Sequence, residues 1–294
     1  MSRVLGIDFG GTKVAIGVSD ADGPSPAESL RLKTGDEILP RALAAARDLV
    51  GSPAAVGVST CGVIRDGRVR LAPNVPGWEG LELPRLLREE FGSVPVVIDN
   101  DVNAAAAAEL RWGALRGVST GLYVNLGTGL AAALVVGGQV VAGAHGAAGE
   151  IGYLLSSPAE PGFTEGHAPM EERVSGAALA ARGSALLGRR VTTAELFGLV
   201  GDPLVRDVVD EAVDVLAMTV ANLCVVLDPE LVVVGGGMMG QADRILPVLA
   251  SAVARAVPFP PGIGPARFVH DAPLLGALAL AYTASGSQGR AYRP

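Results

Sequence analysis

The sequence predicts an α/β protein built in two parts on one plan. Three observations carry that expectation. Two strand–turn–strand runs far apart in the chain share their punctuation: Val4-Leu5-Gly6-Ile7-Asp8-Phe9-Gly10-Gly11-Thr12-Lys13-Val14-Ala15-Ile16, and Leu122-Tyr123-Val124-Asn125-Leu126-Gly127-Thr128-Gly129-Leu130-Ala131-Ala132-Ala133. Each half then runs from short apolar strands into alternating helices and strands. Late in the chain, Leu231-Val232-Val233-Val234 has the unbroken apolar character of a strand covered on both faces, and Gly235-Gly236-Gly237 breaks it ahead of a further helix.

The first half opens on strands near 3–8, 13–19 and 27–33, the last two joined by the turn Asp20-Ala21-Asp22-Gly23-Pro24. Asp36 is expected to cap a helix reaching residue 50, with Ile38, Leu39, Leu43, Ala46 and Val50 on one face. Residues 55–59 read as a short buried strand, and Asp66-Gly67 as the tip of a hairpin over 63–71. A helix over 81–90, a strand over 94–98 and an alanine-rich helix over 102–112 complete this half.

The second half repeats the opening with strands near 121–126, 130–136 and 139–142. A Pro-, Gly- and Ser-rich loop occupies 156–169. Residues 207–227 give the strongest helix, with Val209, Ala212, Val213, Leu216, Val220, Leu223 and Leu227 along one stripe. Asp228-Pro229 stops it. A last helix over 274–284 precedes a polar tail from Ser285 that is expected to be disordered.

With 294 residues, 49% of them hydrophobic, the chain has material for two cores. A formal net charge of −7 argues against a nucleic-acid partner, which would need a basic face. Cys61 and Cys224 lie in apolar contexts without ligand or redox spacing and read as small buried hydrophobes of a reducing cytosol. Arg3 is followed at once by a strand, so no signal peptide is expected and the expected location is cytoplasmic. Residues 121–149 lack Asp, Glu, Lys and Arg over a length that spans a bilayer. Eight glycines, with Asn125, Thr128, Gln139 and His145, divide that stretch into short strands instead, and no membrane partner is expected.

The chemistry should sit at the turns. Small residues at the tips Gly10-Gly11-Thr12-Lys13 and Gly127-Thr128-Gly129 let backbone N–H groups and a Thr hydroxyl approach a phosphate closely. Two such tips suit a polyphosphate. Neither is a P-loop, since Gly-x4-Gly-Lys-Ser/Thr does not occur, and Gly10-Gly11 leads into a strand rather than the helix of a dinucleotide fingerprint. Asp8 ends the first strand, where a carboxylate holds Mg²⁺ through water or is an ordinary turn Asp. Asp99-Asn100-Asp101 follows a strand and opens a helix. Capping explains one of the three, and a group at a strand's carboxyl edge points toward ligand, which makes Asp101 the candidate base. The helix N-terminus should lower its pKa, which phosphoryl transfer tolerates because its loose transition state gives up the acceptor proton late. Gly235-Gly236-Gly237 either lets a nucleoside lie on the backbone or serves tight packing.

These residues resemble a family. Asp8-Phe9-Gly10-Gly11-Thr12-Lys13, Pro73-Asn74-Val75-Pro76-Gly77-Trp78, Asp99-Asn100-Asp101-Val102-Asn103, Leu126-Gly127-Thr128-Gly129, Gly149-Glu150-Ile151-Gly152 and Asp228-Pro229-Glu230 with Gly235-Gly236-Gly237 resemble, in order, the ROK family of bacterial sugar kinases and sugar-responsive repressors. The resemblance implies a two-domain actin-like ATPase fold of the ribonuclease-H type, with ATP and sugar in the interdomain cleft. Its expected domains are 1–117 with a returning helix in 276–294, and a larger one over 118–275. It implies that Asp101 takes the proton of a sugar 6-hydroxyl and that Asn100, Asn74, Glu150 and Glu171 bind sugar hydroxyls. Glu171 is placed by Met170-Glu171-Glu172-Arg173-Val174-Ser175-Gly176. ATP and Mg²⁺ are the implied cofactors, and a homodimer the implied assembly.

The chain also departs from that family. Most members carry a His and three Cys that hold structural zinc. Here the His position is Tyr153, and the Cys positions are Phe163, Glu165 and Pro169. One His and one Glu do not make a closed tetrahedral site, so no zinc is expected and packing should hold the loop. Tyr153 then faces sugar in place of His, and Ser59-Thr60-Cys61-Gly62 replaces a Pro-Gly turn. The expected activity is an ATP-dependent hexose 6-kinase, a glucokinase in its simplest form, with an aminohexose (kanosamine, a glucosamine-like sugar or an N-acetylhexosamine) as the alternative acceptor. A sugar-sensing regulator without catalysis is the distant alternative; a repressor is not expected, since three residues rather than a DNA-binding segment stand before the first strand.

Overall fold

The computed structural model describes residues 3–72 and 75–286. Its apolar runs become strands where the sequence places them. β1 (Val4–Phe9) and β2 (Lys13–Ser19) form the first hairpin, and β3 (Glu28–Lys33) adds an antiparallel edge. α1 (Ile38–Val50) follows, then β4 (Ala55–Thr60), the hairpin β5 (Val63–Arg65) and β6 (Arg68–Arg70), α2 (Leu83–Phe91), β7 (Val96–Asn100) and α3 (Asp101–Trp112). β4 joins β1 in parallel and β7 joins β4, giving the order β3-β2-β1-β4-β7.

The second hairpin, β8 (Gly121–Leu126) and β9 (Leu130–Val136), is extended by β10 (Gln139–Val140). α4 (Pro169–Val174), α5 (Gly176–Leu187), α6 (Thr193–Gly198) and α7 (Pro203–Leu227) precede β11 (Leu231–Gly235), α8 (Ala242–Ala256) and β12 (Gly262–Pro265). β11 pairs in parallel with β8 and β12 with β11, so this sheet runs β10-β9-β8-β11-β12. Position by position it repeats the order and strand senses of the first sheet. α9 (Ala272–Gly286) ends the described residues.

The described residues divide into two compact units. One takes those of Met1–Arg116, Ala142–Ala147 and Asp271–Pro294; the other takes Gly117–Val141 and Ala148–His270. Each has its own core. Leu5, Ile7, Ile16, Val56 and Val58 centre the first, and Leu122, Val124, Leu216, Val220 and Val232 the second. α9 belongs to the first unit and is apolar around nearly its whole girth, as a helix buried on all sides must be. It reaches the sheet because glycines let it. A Cβ on Gly57 would stand 1.8 Å from the Ala277 carbonyl oxygen, and one on Gly276 would stand 1.9 Å from that of Ala104 in α3.

Several expectations are corrected. Asp36 does not cap α1; Glu37 does, in a left-handed conformation at φ 54° and without a side-chain cap bond. α7 starts earlier than its apolar stripe because Asp202 accepts the Leu204 N–H at 2.8 Å and Pro203 fits the first turn. β12 carries two glycines and a proline, too little apolar pattern to read as a strand, and persists as a half-exposed edge. The helix end at residue 286 takes in the start of the expected polar tail, whose remainder lies outside the described residues. Cys224 is buried and Cys61 half-buried, both as free thiols. Among the described residues no helix is long and apolar enough to cross a membrane.

Candidate active site

On the first unit, strand register lines up the chemistry. Asp8 of β1, Ser59 of β4 and Asp99 of β7 stand level across three parallel strands, at the carboxyl edge where α/β sheets hold ligands. Ser59 Oγ donates to Asp8 Oδ1 at 2.9 Å. Asp8 is only 7% exposed, and desolvation pushes its carboxyl up to about 7; the Ser59 bond opposes this and the charge of Asp101 adds to it. A buried carboxylate with a second carboxylate beside it is the donor set a divalent cation relieves, so these residues fit Mg²⁺.

The triplet Asp99-Asn100-Asp101 divides its labour. Asp99 Oδ1 accepts the Asn100 N–H and Asn103 Nδ2, both at 2.8 Å. Asn100 is the N-cap of α3, its Oδ1 taking the Asn103 N–H at 2.7 Å, which leaves its amide donors outside the cap. Asp101 is the first residue of the helix and is not consumed by capping. Burial raises its pKa, and the N–H groups of Val102 and of Asp101 itself oppose the rise. The lowering expected from the helix N-terminus is therefore present but outweighed by desolvation. The net result is a carboxylate more basic than a free one.

The first glycine turn is closed by the Gly10 N–H on the Lys13 carbonyl at 3.1 Å. Thr34 braces it, donating its hydroxyl to the Gly10 carbonyl at 2.9 Å and its N–H to the Thr12 carbonyl at 3.1 Å. Gly10 is required: a Cβ there would meet the Lys13 carbonyl at 2.9 Å. Gly11, Thr12 and Lys13 are exposed. The charge of Lys13 is paired rather than free, because its Nζ meets Asp271 at 3.1 Å and Arg31 binds the same carboxylate. Asn74 lies outside the described residues.

On the second unit, the Gly127-Thr128-Gly129 turn docks onto α5. The N–H of Gly176 donates to the Gly127 carbonyl at 2.8 Å, and that of Ala177 to the Thr128 carbonyl at 3.2 Å. Beside it opens a cavity of about 420 Å³, lined among others by Thr128, Ala177, Arg190, Thr193, Phe197 and Gly237. That volume and its mixture of apolar wall and polar turn suit a small organic ligand. The triglycine splits its roles. A Cβ on Gly235 would stand 2.2 Å from the Tyr123 hydroxyl, and Gly236 is left-handed at φ 92°, so both answer to packing and backbone. Gly237 meets nothing within 4 Å and faces the cavity.

Glu171, on α4, reaches the same turn. Its Oε2 accepts the Leu130 N–H at 2.9 Å, and a Cβ on Gly129 would stand 2.8 Å from that oxygen. Gly149, left-handed at φ 89° and pressed against the Ala132 carbonyl, holds Glu150 next to β9. Glu150 leads into a 3₁₀ turn over Ile151–Tyr153, and Gly152 in that turn packs on Glu171. Glu150, Tyr153 and Glu171 thus gather beside Gly127–Gly129. Tyr153 meets Phe163 edge-on, with ring centroids 5.3 Å apart. The zinc implied by the family does not fit: His167 Nδ1 pairs with Glu172, Phe163 packs on Tyr153, and among the described residues no group of three or more His, Cys, Asp or Glu side chains stands ready for a metal.

Sequence reasoning did not single out Asp271 or Arg190, and it marked Ser59 without its bond to Asp8. Their roles depend on strand register or on chain segments meeting, and no local motif announces either.

A family model described as the ROK family matches residues 4–284. N-acetylmannosamine kinase of Shigella boydii is 32% identical over 289 residues, covering 94% of this chain and 97% of that protein. Among solved structures, a ROK hexokinase from Thermus thermophilus is 32% identical with a TM-score of 0.83, covering 96% of this chain and 98% of that one. A ROK family glucokinase from Streptomyces griseus in complex with glucose and AMPPNP is 27% identical with a TM-score of 0.77, covering 96% and 99%.

Proposed function

We propose, for a chain that belongs to the ROK family of actin-like fold and is an ATP-dependent sugar kinase, that it phosphorylates the 6-hydroxyl of glucose or a closely related hexose with Asp101 as general base. The half-buried carboxylate of Asp101 at the start of α3, its pKa raised by desolvation, is the observation that supports this most directly. The acceptor O6 attacks the γ-phosphorus while its proton passes to Asp101. The bond from phosphorus to the β,γ-bridging oxygen breaks, ADP leaves, and sugar 6-phosphate remains. Asn100 and, on the second unit, Glu150, Tyr153 and Glu171 hold sugar hydroxyls, because carboxylates and carboxamides left unpaired penalise a wrong acceptor. The turns Gly10–Lys13 and Gly127–Gly129 meet the phosphates, and the cavity walled by Phe197 and Gly237 takes the nucleoside. Asp8 would hold Mg²⁺, which when bound would supply charge neutralisation to the phosphoryl group.

An N-acetylhexosamine acceptor is the second reading, favoured by the 32% identity to an N-acetylmannosamine kinase. A homodimer in the cytoplasm completes the proposal, on the family resemblance. A coupled ADP assay over glucose, mannose, glucosamine, kanosamine and N-acetylmannosamine decides the acceptor, and turnover with none of them ends the reading. Asp101→Asn should lower kcat by about 10³-fold at an unchanged melting temperature; full turnover would remove Asp101 as the base.

A further inference from the structure

The loop ahead of α4 is held by side chains from a single helical turn. Glu171, Glu172 and Arg173 are consecutive, and neighbours on a helix point about 100° apart, so they reach three separate targets. Glu171 takes the Leu130 N–H. Glu172 takes the Ala168 N–H at 3.0 Å and meets His167 Nδ1 at 3.1 Å. Arg173 donates to Ser156 Oγ at 2.8 Å and stands 3.4 Å from Glu160 Oε1. Glu160 closes this clasp: its carboxylate accepts the Ser156 N–H at 2.6 Å, the Ser156 hydroxyl at 2.8 Å and the Ser157 N–H at 3.1 Å. Arg182 Nη1 donates to the Arg173 carbonyl at 3.2 Å, which ties α4 to α5.

We infer that the Ser156–Glu160–Arg173 clasp does for this loop what a bound zinc does elsewhere, and that Glu160 and Arg173 are positioning residues for Glu171 and Tyr153. A metal fixes a loop by drawing ligands from separate positions onto one centre. Here one carboxylate draws in two backbone N–H groups, a hydroxyl and a guanidinium, and its several acceptor sites make that possible. Arg173 is two residues from Glu171 on the same short helix, so a shift of its side chain turns the whole helical turn. At the loop's other end, the Phe163–Tyr153 contact passes the loop's position to Tyr153. The inference rests on reading Glu171 and Tyr153 as acceptor-binding groups.

Glu160→Gln and Arg173→Ala should each raise the acceptor KM about 10-fold, with donor KM unchanged and kcat within about 3-fold; Arg173→Lys should recover part of the loss. Hydrogen exchange on the sugar-free protein should speed up over 154–168 in both variants and stay unchanged over 231–235. Unchanged exchange overturns the clasp, and an unchanged acceptor KM overturns the positioning role. One tightly bound zinc per chain in the wild-type protein overturns both. If the wild type phosphorylates no sugar, the kinase reading falls while the exchange result still decides the clasp.

Discussion

Asp8 binds its proton about three orders of magnitude more tightly in the folded chain than an ordinary carboxyl does, and this has a stability cost. Its folded pKa is about 7 against 3.8 in water. Between about pH 4 and 7 the unfolded chain releases this proton while the folded chain keeps it, so stability falls as pH rises through that window and stays lowered above it. Asp8→Asn should therefore be more stable than wild type at pH 8, on the order of 2–4 kcal/mol, and nearly equal to it at pH 4. Urea unfolding at both values reads the difference, and a gap that does not change with pH would remove Asp8 as the titrating group. The same variant should lose Mg²⁺-dependent turnover. Asp8 and Asp101 were legible in sequence because each sits beside its own turn or cap. The Ser59 bond to Asp8 was not, since it spans 51 residues and exists only through the β1–β4 register. Asp36 misled for the opposite reason: its local cap chemistry is sound, but the backbone turns left-handed one residue later, at Glu37.

Elements fit together here through missing side chains. α9 presses on β4 at Gly57 and on α3 at Gly276, where an added methyl would fall within 2 Å of a carbonyl oxygen. Backbone cannot yield as a flexible side chain does, so Gly57→Ala and Gly276→Ala should each destabilise by about 3 kcal/mol or more. Gly237→Ala meets open space and should leave the melting temperature within about 1 °C of wild type, so the first pair melting like wild type would contradict the packing. Sequence marked the hairpins, α3 and α7 well, because apolar period and caps agree along them. It did not assign the triglycine, where Gly235 serves Tyr123, Gly236 serves the backbone and only Gly237 opens on the cavity. Three identical letters carry three different burdens, and only contacts from other segments separate them.

The whole molecule repeats itself. Both five-stranded sheets run in the same order with the same senses, which the paired glycine–threonine hairpins foreshadowed. The strands beyond the hairpins carry no shared motif, because Ala55–Thr60 and Leu231–Gly235 have little in common beyond apolar character. A second copy of the chain is the proposed partner. Light scattering should give twice the chain mass at micromolar concentration, and a monomer there would end that proposal. The placement of α9 carries a further consequence. A chain leaving the ribosome completes all of Gly117–Val141 and Ala148–His270 before α9 has been made, while β1, β4 and α3 wait with Gly6, Gly57 and the Ala104 backbone uncovered. The unit begun first is thus finished last, and for that interval the nascent protein exposes an apolar trough that its own carboxyl-terminal helix will fill.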